Sequence, residues 1–124
     1  FVQQFCDAFG RGIEIAEKNF SIYSAIGGCS PAFAFMFIDS LARAAVKNGM
    51  TKAQALETAA QAVLGSAKLI LESEDHPWKL VDAVCSPGGT TIEAVCVLEE
   101  KGLRPAIEAA VHACADKADR MAKR

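Results

Sequence analysis

The run Ser86-Pro87-Gly88-Gly89-Thr90-Thr91 carries the residue types and spacing in this sequence best suited to chemistry. Its proline narrows the local backbone, its two glycines remove Cβ obstruction, and a helix starting at Thr90 or Thr91 leaves backbone N–H groups free to face an anion. Hydroxyls at Ser86, Thr90 and Thr91 add donors for a carboxylate or a polar reaction centre. A small carboxylate ligand fits such a cradle. The same residues also fit a tight turn whose Ser and Thr side chains only cap the adjoining helices. Gly27-Gly28-Cys29-Ser30-Pro31 repeats the ingredients. It reads either as backbone brought close to a cofactor or as the plain start of a helix, with Ser30 as N-cap and Pro31 at the first position.

The remaining reactive side chains point to no second site. Cys29 has no histidine near it in sequence to activate it, so it is not read as a nucleophile. His76 precedes Pro77 in the acidic loop ESEDHP, where Glu72, Glu74 and Asp75 suit a solvated loop better than a pair of acid–base carboxylates. His112 stands four residues from Glu108 and from Asp116, which suits a surface ion-pair row, and no metal site is expected. Cys6, Cys29, Cys85, Cys96 and Cys114 form no CxxC pair. Their odd number and apolar neighbours predict reduced, mostly buried thiols.

Helices are the elements that must position these groups. Apolar positions 1, 2, 5, 6 and 9 recur at helical spacing before Gly10 and Gly12 interrupt them, and RGIEIAEK then suits a short extended arm. SIYSAI reads as a further helical turn, and GGCSP as a breaker before a long helix that reaches about residue 48. In that helix Phe33, Phe37, Leu41 and Ala44 trace one face, and Phe35, Ile38, Ala42 and Val46 another. A helix this apolar needs partners on several sides. Gly49 fits a C-cap, and Thr51 with Gln54 a capping box for a second long helix, with Leu56, Ala60, Val63, Ala67 and Ile70 or Leu71 facing inward. Pro77 opens a short helix with Trp78, Val81 and Val84, Thr90 or Thr91 opens another, and Pro105 the last, with a stripe of Ile107, Ala110 or Val111, Cys114, Ala118 and Met121. The fold class is all-α.

Size and charge exclude several roles. The chain has 124 residues, enough for one core, and 23 of them are alanine, which favours helices in close contact. Thirteen Lys plus Arg against fifteen Asp plus Glu, a net charge of −2, leaves no basic excess for nucleic acid. The longest apolar stretch is broken by Asp39 and Arg43 before it reaches the roughly 20 residues that cross a bilayer, so no membrane role and a cytoplasmic location are expected. The first residue is Phe1, and the sequence is read as starting inside a longer polypeptide.

With these motifs in place the chain resembles the C-terminal domain of pyrroline-5-carboxylate reductase over nearly its whole length. The resemblance rests on LARAAVKNGM followed by TKAQAL, on AAQAVLGSAKLILE, and above all on HPWKLVDAVCSPGGTTIEAVCVLEEKGLRPAIEAAV. It implies an all-helical domain at residues 21–124, interleaved with a partner subunit in a homodimer and possible rings of dimers, preceded by a leading helix and linker arm at residues 1–20 from a nucleotide-binding domain outside this sequence. It further implies reduction of 1-pyrroline-5-carboxylate to L-proline by NADPH or NADH. Ser86, Gly89, Thr90 and Thr91 would cradle the substrate carboxylate, and the Thr91 hydroxyl would lie at the ring nitrogen as the catalytic group. The fragment is expected to be inactive alone, since no GxGxxG follows a strand. Where the family commonly has Ser-Gly-Ser-Gly-Pro-Ala-Tyr, this chain has Gly27 to Phe33, with Ser30 in place of a glycine and Phe33 in place of the tyrosine. A related oxidoreductase for another small imine or amino acid, or a helical oligomerisation module without catalysis, are the alternative readings.

Overall fold

The computed structural model describes residues 2–123. Among them every regular element is helical. Seven α-helices follow one another: α1 (Val2–Asp7), α2 (Phe20–Ser24), α3 (Ser30–Lys47), α4 (Lys52–Glu72), α5 (Pro77–Val84), α6 (Thr90–Glu100) and α7 (Leu103–Ala122). Phe1, expected to open the first helix, lies outside the described residues. The arm after α1 folds back on it, because the Gln3 side-chain amide donates to the Gly12 carbonyl (2.8 Å) and the Gly12 N–H donates to Asp7 (3.2 Å).

The largest departure from the sequence expectation is at residues 25–31. GGCSP does not break the chain. A 3-10 turn at Glu17–Asn19, α2, a π turn at Ala25–Cys29 and α3 run on as one helical path, Glu17–Lys47. Ser30 is therefore inside the helix, where its hydroxyl donates to the Ile26 carbonyl instead of capping. A proline within a helix lacks the N–H for residue i−4 and crowds that residue's carbonyl. The wider π turn just upstream gives Pro31 the room that a regular α-turn would deny.

Both ends of the α3–α4 connection follow their local chemistry. Gly49 sits at φ +100, and paired bonds from the Gly49 N–H to the Val46 carbonyl (3.0 Å) and the Met50 N–H to the Ala45 carbonyl (3.1 Å) close α3 as a Schellman motif. Thr51 then caps α4 by accepting from the Gln54 N–H (3.3 Å), and its hydroxyl donates to the Gln54 side chain (2.9 Å). Gly102, at φ +79, lets the chain turn directly from α6 into α7, which starts at Leu103 rather than at Pro105.

Alanine makes up the interior. Among the described residues Ala25, Ala42, Ala55, Ala59 and Ala115 are the buried hydrophobic ones. Ala55 and Ala59 of α4 press against Ala42 of α3, flanked by Ile38, Ala45 and Val46. This corrects the expected inward face of α4, since Leu56, Ile70 and Leu71 are exposed. Small side chains let the two helix backbones approach closely, which turns the bulkier stripe outward. α2 and the π turn pack on α7, tied by a hydrogen bond from the Ser21 hydroxyl to Asp119, and α6 packs on α7. The thiols are not buried either: Cys6, Cys29 and Cys96 are exposed, and Cys85 and Cys114 are half-buried.

Such a core leaves much surface uncovered. A compact chain of this mass exposes about 6,400 Å², whereas this one exposes 10297 Å². Phe35, Met36, Phe37 and Leu41 of α3 are all exposed, and an apolar groove between α3, α4 and α7 is lined by Phe33, Met36, Phe37, Val63, Leu103 and Ile107. Glu17–Lys47 is also long and apolar enough by composition to cross a membrane, with a hydropathy of 1.4 in its most apolar window. The sequence expectation had the stretch interrupted too early for that; continuity through residues 25–31 is what lengthens it.

Candidate functional site

Residues 85–89 connect α5 to α6 by a tight turn. The Gly89 N–H donates to the Ser86 carbonyl at 3.0 Å, and Gly88 adopts φ +65. Proline second and a positive-φ glycine third are the requirements of a type II turn, so the sequence Ser-Pro-Gly-Gly dictates this backbone. α6 begins immediately afterwards, at Thr90, as expected from the sequence.

Its N-cap is Gly89, in extended conformation, and no side chain caps the helix. The first-turn N–H groups of α6 consequently lack the acceptor that Ser, Thr or Asp would supply. Ser86, Thr90 and Thr91 are exposed, and among the described residues their hydroxyls take part in no hydrogen bond within the chain. This differs from the capping role that a plain turn would give them. Gly89 also leaves the Ser86 side chain its present position: a Cβ there would lie 2.3 Å from the Ser86 Oγ and 3.1 Å from the Ser86 carbonyl oxygen. The turn thus holds the Ser86 hydroxyl over the helix start. Donors of both kinds converge on one exposed end of α6, where the helix dipole favours negative charge.

The second glycine segment is built differently. Gly27 and Gly28 lie within the π turn without positive φ, and a Cβ on Gly27 would meet nothing within 4 Å. Cys29 lies near Cys114 where the π turn meets α7; burial first, and the neighbouring Cys29 thiol second, push the Cys114 thiol up from its ordinary value. A raised thiol is a poorer nucleophile.

One role was missed at the sequence level. His76 is the N-cap of α5, its Nδ1 accepting from the Trp78 N–H at 3.2 Å, which also fixes the proton on Nε2 in the neutral ring. The spacing of His76 directly before Pro77 was the available signal, but histidine is outside the usual capping set. Beside it Lys79 pairs with Asp75 at 2.6 Å. His112 forms no ion pair with Glu108 or Asp116 among the described residues.

Comparison with known proteins bears on the whole of this arrangement. The chain is 53% identical over 115 residues to pyrroline-5-carboxylate reductase of Escherichia coli, covering 93% of this chain and 43% of that protein. It is 43% identical over 112 residues to pyrroline-5-carboxylate reductase 2 of Rattus norvegicus, covering 90% of this chain and 35% of that one. Among solved structures it superposes on 1-pyrroline-5-carboxylate reductase from Streptococcus pyogenes with a TM-score of 0.89 at 44% identity, covering 94% of this chain and 45% of that one. A Plasmodium falciparum pyrroline carboxylate reductase with NADP bound gives 0.90 at 33% identity, covering 97% and 46%. The chain thus spans less than half the length of these relatives. Residues 17–121 match the family described as pyrroline-5-carboxylate reductase dimerisation, and the chain belongs to that family.

Proposed function

We propose that this chain is the substrate-holding and dimerising part of an oxidoreductase that reduces 1-pyrroline-5-carboxylate to L-proline, the last step of proline biosynthesis. The observation that carries the reading is the uncapped start of α6 beneath three unengaged hydroxyls, in a chain of this family. The substrate carboxylate would accept from the first-turn N–H groups of α6 and from the Ser86 and Thr90 hydroxyls, with Gly89 leaving room for close approach. Held there, the ring is oriented before reaction, and a Thr91 hydroxyl at the imine nitrogen steadies the iminium or delivers its proton.

The reducing hydride would come from NADPH or NADH. Among the described residues no strand leads into a glycine-rich helix start, so the reading places the dinucleotide site elsewhere. The part of the relatives that this chain does not span is the place for it, and the chain alone is expected to be inactive.

The uncovered surface, about 3,900 Å² beyond that of a compact chain of this size, fits an interleaved homodimer better than any small contact. Lipid is a poorer occupant of the same face, because the exposed pair Asp39–Arg43 sits in the middle of α3, where burial in hydrocarbon is expensive. We take the location to be cytoplasmic. Rings of dimers would use surface left after the first contact.

In the full-length protein, substrate-dependent loss of NAD(P)H absorbance is expected, and Thr91→Ala should lower kcat by about 100-fold, the scale of a lost proton-transfer group. Reduction of a different cyclic imine in its place would point to a related oxidoreductase. Sedimentation of the chain itself should give a dimer or larger at micromolar concentration; a stable monomer would remove the account of the exposed α3 face.

A further inference from the structure

α5 delivers one end of the 85–89 turn, yet it buries none of its residues and makes no extensive packing with another helix of the chain. What ties it down lies at its opposite end. Arg104, the second residue of α7, donates from Nε to Glu99 Oε1 at 2.9 Å and from Nη2 to Glu99 Oε2 at 2.7 Å. The same guanidinium lies over the ring of Trp78, 5.4 Å from its centroid. Trp78 is the second residue of α5, and Glu99 is the last but one of α6. One planar group thereby joins three helix ends.

The two helices it joins are those that flank the turn. At 1.5 Å per residue the seven residues from Trp78 to Cys85 span about 10 Å, and the nine from Glu99 to Thr90 about 14 Å. The clamp and the turn thus sit at opposite ends of the α5–α6 pair. We propose that Arg104, set over Trp78 and forked onto Glu99, is a positioning residue that sets the α5–α6 pair and through it the pose of the Ser86–Thr91 substrate grip.

The chemistry requires arginine. A lysine keeps the charge but cannot fork onto a carboxylate while its cation stays over an indole. The proposal rests on the reading of the 86–91 run as the carboxylate grip, so its test includes variants of both.

The experiment uses the full-length enzyme and measures kcat and KM for pyrroline-5-carboxylate in Arg104→Lys, Arg104→Ala and Trp78→Leu, with KM for the nicotinamide cofactor as an internal control. All three should raise the substrate KM by about 5-fold, the size of a lost cation–π contact or bidentate surface pair, and leave kcat and the cofactor KM within about 2-fold. Trp78→Leu combined with Arg104→Ala should do no more than Arg104→Ala alone, since the arginine variant already removes the contact with Trp78. Trp78→Leu leaves the Arg104–Glu99 pair and the α6–α7 turn in place, and it decides the matter if the Arg104 variants do not fold. An unchanged KM in Trp78→Leu, or a wild-type KM in Arg104→Lys, overturns the proposal. If Gly89→Ala and Thr91→Ala are normal as well, it is the grip itself that fails; if those two are impaired while the clamp variants are normal, only the clamp does.

Discussion

Residues 27–31 and 86–90 are assembled from nearly the same parts, a glycine pair with serine and proline beside it, and they fold into opposite things. In the first the glycines precede Ser-Pro, and a π turn carries the helix through without interruption. In the second Ser-Pro precedes the glycines, the second residue after serine takes φ +65, and the chain turns sharply before a new helix. Order decides the outcome. Pro-Gly presets the two central residues of a type II turn, whereas Gly-Gly followed by Ser-Pro contains no position that needs a positive φ.

The sharpest test of that difference is Gly89→Ala. The added Cβ would displace the Ser86 hydroxyl and crowd its carbonyl, so the KM for a carboxylate substrate in the full-length enzyme should rise about 10-fold, or 1.4 kcal/mol. Thermal stability should fall much less, because the Ser86 hydroxyl can rotate away. A comparable effect, on stability rather than on KM, is expected for Gly88→Ala, which forces a Cβ into the left-handed region at a cost of roughly 1–2 kcal/mol and should lower Tm. Smallest, and opposite in sign, is Gly27→Ala. Nothing within 4 Å opposes its Cβ and the residue is already helical, so stability should rise by about 0.5–1 kcal/mol. A fall in Tm or in dimerisation for Gly27→Ala would break the contrast, since it would place a tightly packed neighbour from outside the chain against the π turn.

Much of the fold is legible in the residues because the relevant forces are local. Gly49 with Thr51 and Gln54 marks the α3–α4 junction, and Thr90 the start of α6. The family resemblance was likewise carried by contiguous motifs. The inward face of α4 was not legible. Leu56 and Ile70 have the greater hydrophobicity, but Ala55 and Ala59 take the contact because α3 offers Ala42 and allows close approach. Nor was the link from Trp78 to Glu99 through Arg104 visible, as it joins residues from three helices.

The sequence by itself determined the helical class, the turns at Gly49 and at Ser86–Gly89, and the start of a helix at Thr90. Tertiary structure alone decided which apolar residues close the core within the chain and which remain outside it. Periodicity reports that a helix has apolar faces, but the partner of each face depends on how near two backbones can come, and that is a property of the pair.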